Sequence, residues 1–403
     1  MPEEYFCILA GGGVRGTAYL GVLKSLEEMD IKISGIAGSS VGAIFASLYA
    51  VGYSCQELQD VIFNTSYLLF RDLTIPSGRE FGFCKGDNLY GRIKELIERK
   101  YYGENYSKSC EPVTFSKINK DLEIIATNIS RTTFREFSRN ATPDVEVAYA
   151  VRTSISIPGF FKPVWEDDNC LVDVDIINNF PTWLFKDNLI AKTNSRILEF
   201  RLEGERENKK INNLMDYFSA ILDTSYNIST DILIDSYGKN DQYDIIKIDT
   251  GGIQVIDFGI SETEKHKLVE NGYNCTKSYF EGDLVKKKEH IIKIYQEISN
   301  KLKSIKNEIS KDKTKDSTAS FGELAMFITD NKAIISARIY SRLTEIIKLY
   351  RDNLTSVKFF NIKYLKDKHV ILPKLERMVR HLDHRIEDIC SYAWISCEDK
   401  NTA

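Results

Sequence analysis

The chain has 403 residues, 43% of them hydrophobic and 28% charged, with a formal net charge of −4. That length can bury a large core and favours two domains over one. The slightly acidic balance excludes a dedicated nucleic-acid binder, which carries a basic excess, but leaves room for a local basic patch.

The first element, "YFCILA", reads as a buried strand and is the only apolar run near the start. It is too short for the hydrophobic part of a secretory leader and has no basic flank. No uninterrupted apolar run approaches the roughly 20 residues needed to cross a bilayer, so a cytoplasmic, soluble product is expected. Up to about residue 280, strand-like runs ("IKISGIAG", "LEIIATNI", "CLVDVDII", "SRILEFRL", "DIIKIDT") alternate with helical patterns such as "TAYLGVLKSLEEM" and "GDNLYGRIKELIERKY". Alternation of this kind predicts an α/β layer fold on a mainly parallel sheet. The eight cysteines are scattered and never spaced Cys-x-x-Cys, so they read as reduced thiols, not as a disulfide frame or a zinc site.

Beyond Gly282 the pattern changes. Residues 286–315 hold ten lysines against four acidic residues, and Ile291, Tyr295, Ile298, Leu302, Ile305 and Ile309 form one apolar seam of coiled-coil type. "DKTKDSTASFG" reads as a loop. Two amphipathic helices follow, one through Ile335, Ile339, Leu343, Ile346 and Tyr350, the other through Leu375, Met378, Leu382, Ile386 and Ile389. The expected division is residues 1–282 and a helical region, residues 283–403. The helices of the second region either pack on one another or bind an anionic lipid surface or a partner helix.

Two motifs carry chemistry. Gly11-Gly12-Gly13-Val14-Arg15-Gly16 follows the first strand and opens a helix. Its Gly-x-Gly-x-x-Gly spacing, with Asp30 downstream, fits a dinucleotide loop, although Asp30 precedes the second strand instead of ending it. Alternatively, the consecutive glycines leave backbone N–H groups unshielded at a helix N-terminus and form an oxyanion hole, with Arg15 adding positive charge. Gly38-Ser39-Ser40-Val41-Gly42 has the spacing of a nucleophile elbow, with Ser40 central and Ser39 facing inward. As a structural element, the same stretch is a buried helix start capped by Ser40. None of the five histidines (His266, His290, His369, His381, His384) lies in the α/β pattern beside a catalytic-looking motif. Carboxylates offer another base: Asp173 and Asp175 stand at the end of the "CLV" strand, where a solvated turn is the structural alternative, and burial would raise such a group above its ordinary value and make it more basic.

Together these motifs and Asp173 resemble the patatin-like phospholipases. "CKGDNLYGRIKELI", "PDVEVAYAVRTSISIPGFFKPV" and "IIKIDTGGIQVIDFGISETEKHKLVENGY" are similar to further blocks of that family, so the resemblance covers roughly residues 5–280. It implies a three-layer fold around a mainly parallel sheet and a serine–aspartate dyad without histidine. It implies lipid acyl hydrolysis of the phospholipase A or lysophospholipase type, with no metal or other cofactor. On this reading Ser40 is the nucleophile and Asp173 its base. Gly11, Gly12 and Gly13 form the oxyanion hole, and Arg15, Gly38 and Gly42 support it; Arg15 holds the loop or a lipid phosphate. The expected partners are a phospholipid membrane surface and a protein activator acting through residues 283–403. Some bacterial members carry added helical regions and are exported. The sequence departs from the family at Val174 and Asp175, where two glycines, or a glycine and a small residue, are usual. That departure motivates the alternative of a catalytically weak or silent module that binds lipid or a protein.

Overall fold

The structure is a computed structural model. It describes residues 4–174, 184–185, 195–206, 211–212, 214–237, 242–311, 313–360 and 368–393. The chain divides into two compact units: residues 1–235 with 244–278, and residues 236–243 with 279–403.

In the first unit, β1 (Glu4–Leu9) leads through a glycine turn into α1 (Ala18–Glu28), and β2 (Ile33–Ser39) leads into α2 (Val41–Val51). Then come α3 (Cys55–Phe63), β3 (Gly82–Cys84), α4 (Asp87–Tyr102), β4 (Asp121–Asn128), β5 (Thr133–Ser138) and α5 (Val147–Ser154). Three short strands follow, β6 (Gly159–Phe161), β7 (Val164–Glu166) and β8 (Asn169–Val172); the remaining elements are β9 (Ser195–Glu203), α6 (Leu214–Tyr237), β10 (Tyr243–Asp249) and α7 (Glu262–Ser278).

The main sheet runs β10-β9-β1-β2-β4-β8-β7, with β5 paired to β4. β9, β1, β2 and β4 are parallel, whereas β5, β7 and β8 add an antiparallel edge. The parallel strands are buried from end to end, as both-face coverage by helices requires. β9 is buried too, yet it carries Arg196, Glu199 and Arg201. Arg196 pairs with Asp244 on β10, and Arg201 pairs with Glu199 at 3.3 Å, so the charges enter the core as pairs. α6 inverts the usual amphipathic pattern. Its Asp223, Tyr226, Ser229 and Thr230 are buried, while Tyr217, Ile221, Ile228 and Ile232 are exposed.

The second unit contains α8 (Leu284–Ser310), α9 (Thr314–Asp330), α10 (Ala337–Phe360) and α11 (Lys368–Ala393). The seam from Ile291 to Ile309 is buried in one core with residues of the other three helices. The stretch expected as a loop, "DKTKDSTASFG", is a helix from Thr314 onward. Ser317, Phe321, Leu324 and Ile328 continue a 4-3-4 seam into that core, and the Ser317 and Thr318 hydroxyls meet the Tyr350 hydroxyl at 2.8 and 3.0 Å. A serine at the first seam position hides the period from an apolar count. Among the described residues, no helix is long and apolar enough to cross a membrane.

Candidate active site

The predicted residues gather at the carboxyl ends of the parallel strands, where open α/β sheets place their ligand sites. β1 and β2 run in register with Leu9 opposite Gly38, so the glycine turn after β1 and the serine after β2 are neighbours. Ser40 sits between strand and helix with φ 50° and ψ −126°, a conformation costly for a non-glycine residue, and it is 2% exposed. A Cβ on Gly42 would lie 1.9 Å from the Leu9 carbonyl oxygen, and one on Gly38 would lie 2.4 Å from the Gly42 backbone. The elbow can be this tight only because both positions lack a side chain. Ser40 makes no side-chain cap of α2, so the simple capping reading does not apply. Its amide donates to Ser154 Oγ at 2.9 Å, and Ser154 Oγ donates to the Ile125 carbonyl at 2.6 Å.

Asp173 is 1% exposed and directly follows β8. Ser39 on β2 is opposite Ile125 on β4, and Val172 on β8 is opposite Thr127 on β4. Ser40 and Asp173 therefore stand level with each other on either side of β4, although β8 runs antiparallel to β4 and so to β2. One short segment fixes both backbones: Ser154 holds the Ser40 amide, and the Ser156 carbonyl accepts the Asp173 amide at 3.0 Å. Val174 is buried and stays out of the positive-φ region, so the backbone here does without the conformation that a glycine would permit. Asp175 lies outside the described residues.

The glycine turn is shaped by positive φ at Gly12 (141°) and Gly13 (58°). The Val14 amide is occupied by the Val255 carbonyl at 3.0 Å. Arg15 is 3% exposed: its Nη1 pairs with Asp223 on α6 at 2.7 Å, and its Nε donates to the Ile253 carbonyl at 2.5 Å. The guanidinium thus braces the turn from behind, and of the two tasks expected of Arg15 it performs the loop-holding one. Asp30 lies at the opposite end of β2 from the turn, away from a ribose position.

Gly13, Val14 and Ser40 line one cavity, with about 120 Å³ of room for the centres of water-sized spheres. Val41, Ile44, Phe45 and Leu48 form one wall along α2, and α3 and α4 supply Leu58, Val61, Ile62, Leu89, Ile93 and Leu96. Ile157, Phe161 and Phe258 add to the lining, as do Tyr67, Phe70 and the one charged side chain, Arg92. The walls are almost wholly apolar, as in most small-molecule sites. Tyr67 stands at the rim, its hydroxyl 2.9 Å from Thr17 Oγ1 and its ring 4.2 Å from the buried ammonium of Lys265. Burial raises the Tyr67 phenol to about 12, so it stays neutral. Burial also lowers the Lys265 ammonium from its ordinary value; this lysine donates to the Ile62 and Thr65 carbonyls at the end of α3.

The sequence did not single out the residues that hold the backbones of Ser40 and Asp173. Besides Ser154 and Ser156, Arg152 donates to Ser156 Oγ at 2.7 Å and to the Lys85 and Lys162 carbonyls at 2.6 and 2.9 Å. A Cβ on Gly86 would lie 2.5 Å from Arg152 Nε, which explains the glycine in the lysine-glycine-aspartate start of α4. The available signal was the small-residue run "TSIS" ahead of a proline, which periodicity cannot interpret. His266, the first histidine, is exposed on α7, its ring tilted by 32° to that of Phe63 with centroids 4.3 Å apart. Among the described residues, no group of three histidine, cysteine or acidic side chains could hold a metal ion.

Comparison with known proteins identifies the lineage. The family model described as patatin-like phospholipase matches residues 8–186. The chain is 32% identical to the uncharacterized protein R571 of Acanthamoeba polyphaga mimivirus, over 67% of this chain and 91% of that one. It is 29% identical to the probable lipid hydrolase 463L of Invertebrate iridescent virus 6, over 45% of this chain and 63% of the viral protein. Its fold is similar to that of VipD from Legionella pneumophila, with a TM-score of 0.52 at 16% identity, covering 100% of this chain and 93% of that one. With the parallel sheet, the strained serine and the buried aspartate level with it, the chain belongs to the patatin-like phospholipase family.

Proposed function

We propose that the protein is a phospholipase A or lysophospholipase acting through a Ser40–Asp173 dyad. The observation that carries the reading is Ser40 itself: a serine in a strained strand-to-helix turn, lining an apolar cavity of acyl-chain character. Family membership supports lipid hydrolysis in general, and the buried aspartate tied to the same segment as the serine supports the dyad.

In this mechanism the acyl chain lies along α2 and brings its ester carbonyl to Ser40. Asp173 accepts the Ser40 proton as Oγ attacks the carbonyl carbon, and the amides of the Gly11–Gly13 turn hold the developing oxyanion. The tetrahedral intermediate collapses, the ester C–O bond breaks, and the proton on Asp173 passes to the departing lysolipid alkoxide. Water then attacks the acyl-enzyme with Asp173 again as base, which releases the fatty acid and restores Ser40. Residues 283–403 are the proposed contact for an activator.

Fatty-acid release from mixed phospholipid vesicles tests the reading, with wild type beside Ser40→Ala and Asp173→Asn. Each variant should lose at least about a thousandfold in rate while keeping the wild-type melting temperature. Substantial turnover by either folded variant would sink the dyad. An inactive but folded wild type, with and without a eukaryotic cell extract, would instead favour the silent binding module, to which the buried Val174 lends itself.

A further inference from the structure

The segment between α3 and α4 bears the largest exposed apolar side chains of the first unit. Leu68, Leu69, Leu73, Ile75, Phe81 and Phe83 are all exposed, Ile75 at 87% and Leu73 at 66%. These residues belong to a built surface. Asn88 Nδ2 holds the Leu69 carbonyl at 2.9 Å, the Thr74 amide donates to the Phe83 carbonyl at 2.7 Å, and Trp165 Nε1 donates to the Arg79 carbonyl at 3.0 Å. β3 pairs in parallel with β6, and Leu73 bridges to Cys84, so three short backbone stretches brace the patch.

The patch is continuous with the cavity. Tyr67 and Phe70 line the cavity, and between them, on the same 3-10 turn, Leu68 and Leu69 are exposed. Tyr67 is pinned by Thr17 and Lys265, so the two leucines stand on a fixed rim. Of the charges beside the patch, Lys162 pairs with Glu80 at 2.5 Å and Arg79 with Asp168 at 3.4 Å, while Arg71 and Lys85 are exposed. Asp72 is used to hold the Gly86 and Asn88 amides at the start of α4. A soluble surface rarely leaves so many large apolar side chains together without a partner. A partner that offers apolar depth beside the mouth of an apolar cavity is the headgroup–acyl boundary of a bilayer.

We propose that residues 68–83 are the membrane-docking surface, which seats the cavity mouth on the phospholipid monolayer so that an acyl chain passes from lipid to cavity without crossing water. The inference rests on the hydrolase reading for its purpose, but not for its test. Insertion is shallow, because the turn-rich backbone keeps polar groups that hydrocarbon could not satisfy.

The test uses the full chain carrying Ser40→Ala, so that lipid is not consumed, with and without Leu69→Ser, Ile75→Ser and Phe81→Ser together. Flotation with neutral phosphatidylcholine vesicles should recover the parent, and the triple change should cut its partitioning roughly tenfold or more. Raising the salt to about 0.5 M should change partitioning less than twofold, since exposed charge attraction would be screened there. In the Ser40 background, the triple variant should keep the rate on a water-soluble short-chain ester within about twofold and lose vesicle hydrolysis. Equal flotation of parent and triple variant overturns the proposal, as does binding only to anionic vesicles at low salt. A concentration-dependent dimer that the triple change abolishes, without flotation, assigns the surface to a second copy and overturns it as well. Flotation that the triple change abolishes, together with no ester turnover by wild type, keeps the docking surface and discards the hydrolase.

Discussion

Ser40 holds its backbone where a side chain is costly because everything around it leaves no alternative. Gly42 sits against the Leu9 carbonyl and Gly38 against the Gly42 backbone, so the turn is fixed by contact between two backbones. Gly42→Ala must push β1 and α2 apart and should cost about 3 kcal/mol or more. Gly91 in α4 has nothing within 4 Å of its would-be Cβ, so Gly91→Ala should instead gain about 1 kcal/mol from helix propensity. Urea unfolding of the two variants beside wild type checks both signs. A Gly42→Ala protein with wild-type stability would mean that the elbow is loose and the strain at Ser40 incidental.

At the scale of elements, the strand–helix alternation was legible because the parallel strands are long, apolar and bounded by glycines. The elbow was legible because its glycines are dictated by close backbone approach. The three-residue strands β3, β6 and β7 were not, since three residues hold no period. Nor was α9, whose seam opens on Ser317. The positioning role of Ser154 and Ser156 depends on a meeting of α5, β2 and β8 that no local pattern records. β4 carries a testable charge. On it, Glu123 is raised to about 8 by burial first, and then by repulsion from Glu136 and Asp121. Folding therefore favours its protonated form. The stabilising contribution is complete below the ordinary carboxylate range and is lost progressively as pH rises towards about 8. Urea midpoints measured from pH 5 to pH 9 should fall for wild type more than for Glu123→Gln. Parallel profiles would place the Glu123 carboxyl in an ordinary environment.

At the scale of the molecule, the sequence changes character near residue 282, while the second compact unit takes in residues 236–243 besides 279–403. The lysine-flanked seam, read as a lipid or partner surface, is spent inside the second unit's own core, and Lys288 is buried as well. If residues 68–83 dock on lipid as proposed, membrane binding does not need the second unit. A chain ending at residue 278 should keep soluble-ester turnover and vesicle flotation. Loss of flotation in that folded fragment would return lipid binding to the helical unit.

The ion pair behind the glycine turn has a bearing on how small this enzyme can be made. Arg15 belongs to the stretch that defines the family, residues 8–186, yet its two anchors, Asp223 and the Ile253 carbonyl, come from well beyond it. A gene fragment cut to the family boundaries would strand a guanidinium in the interior with neither anchor. The smallest piece that stands alone is therefore set by where one buried side chain finds its partners, and not by where the recognisable motifs stop.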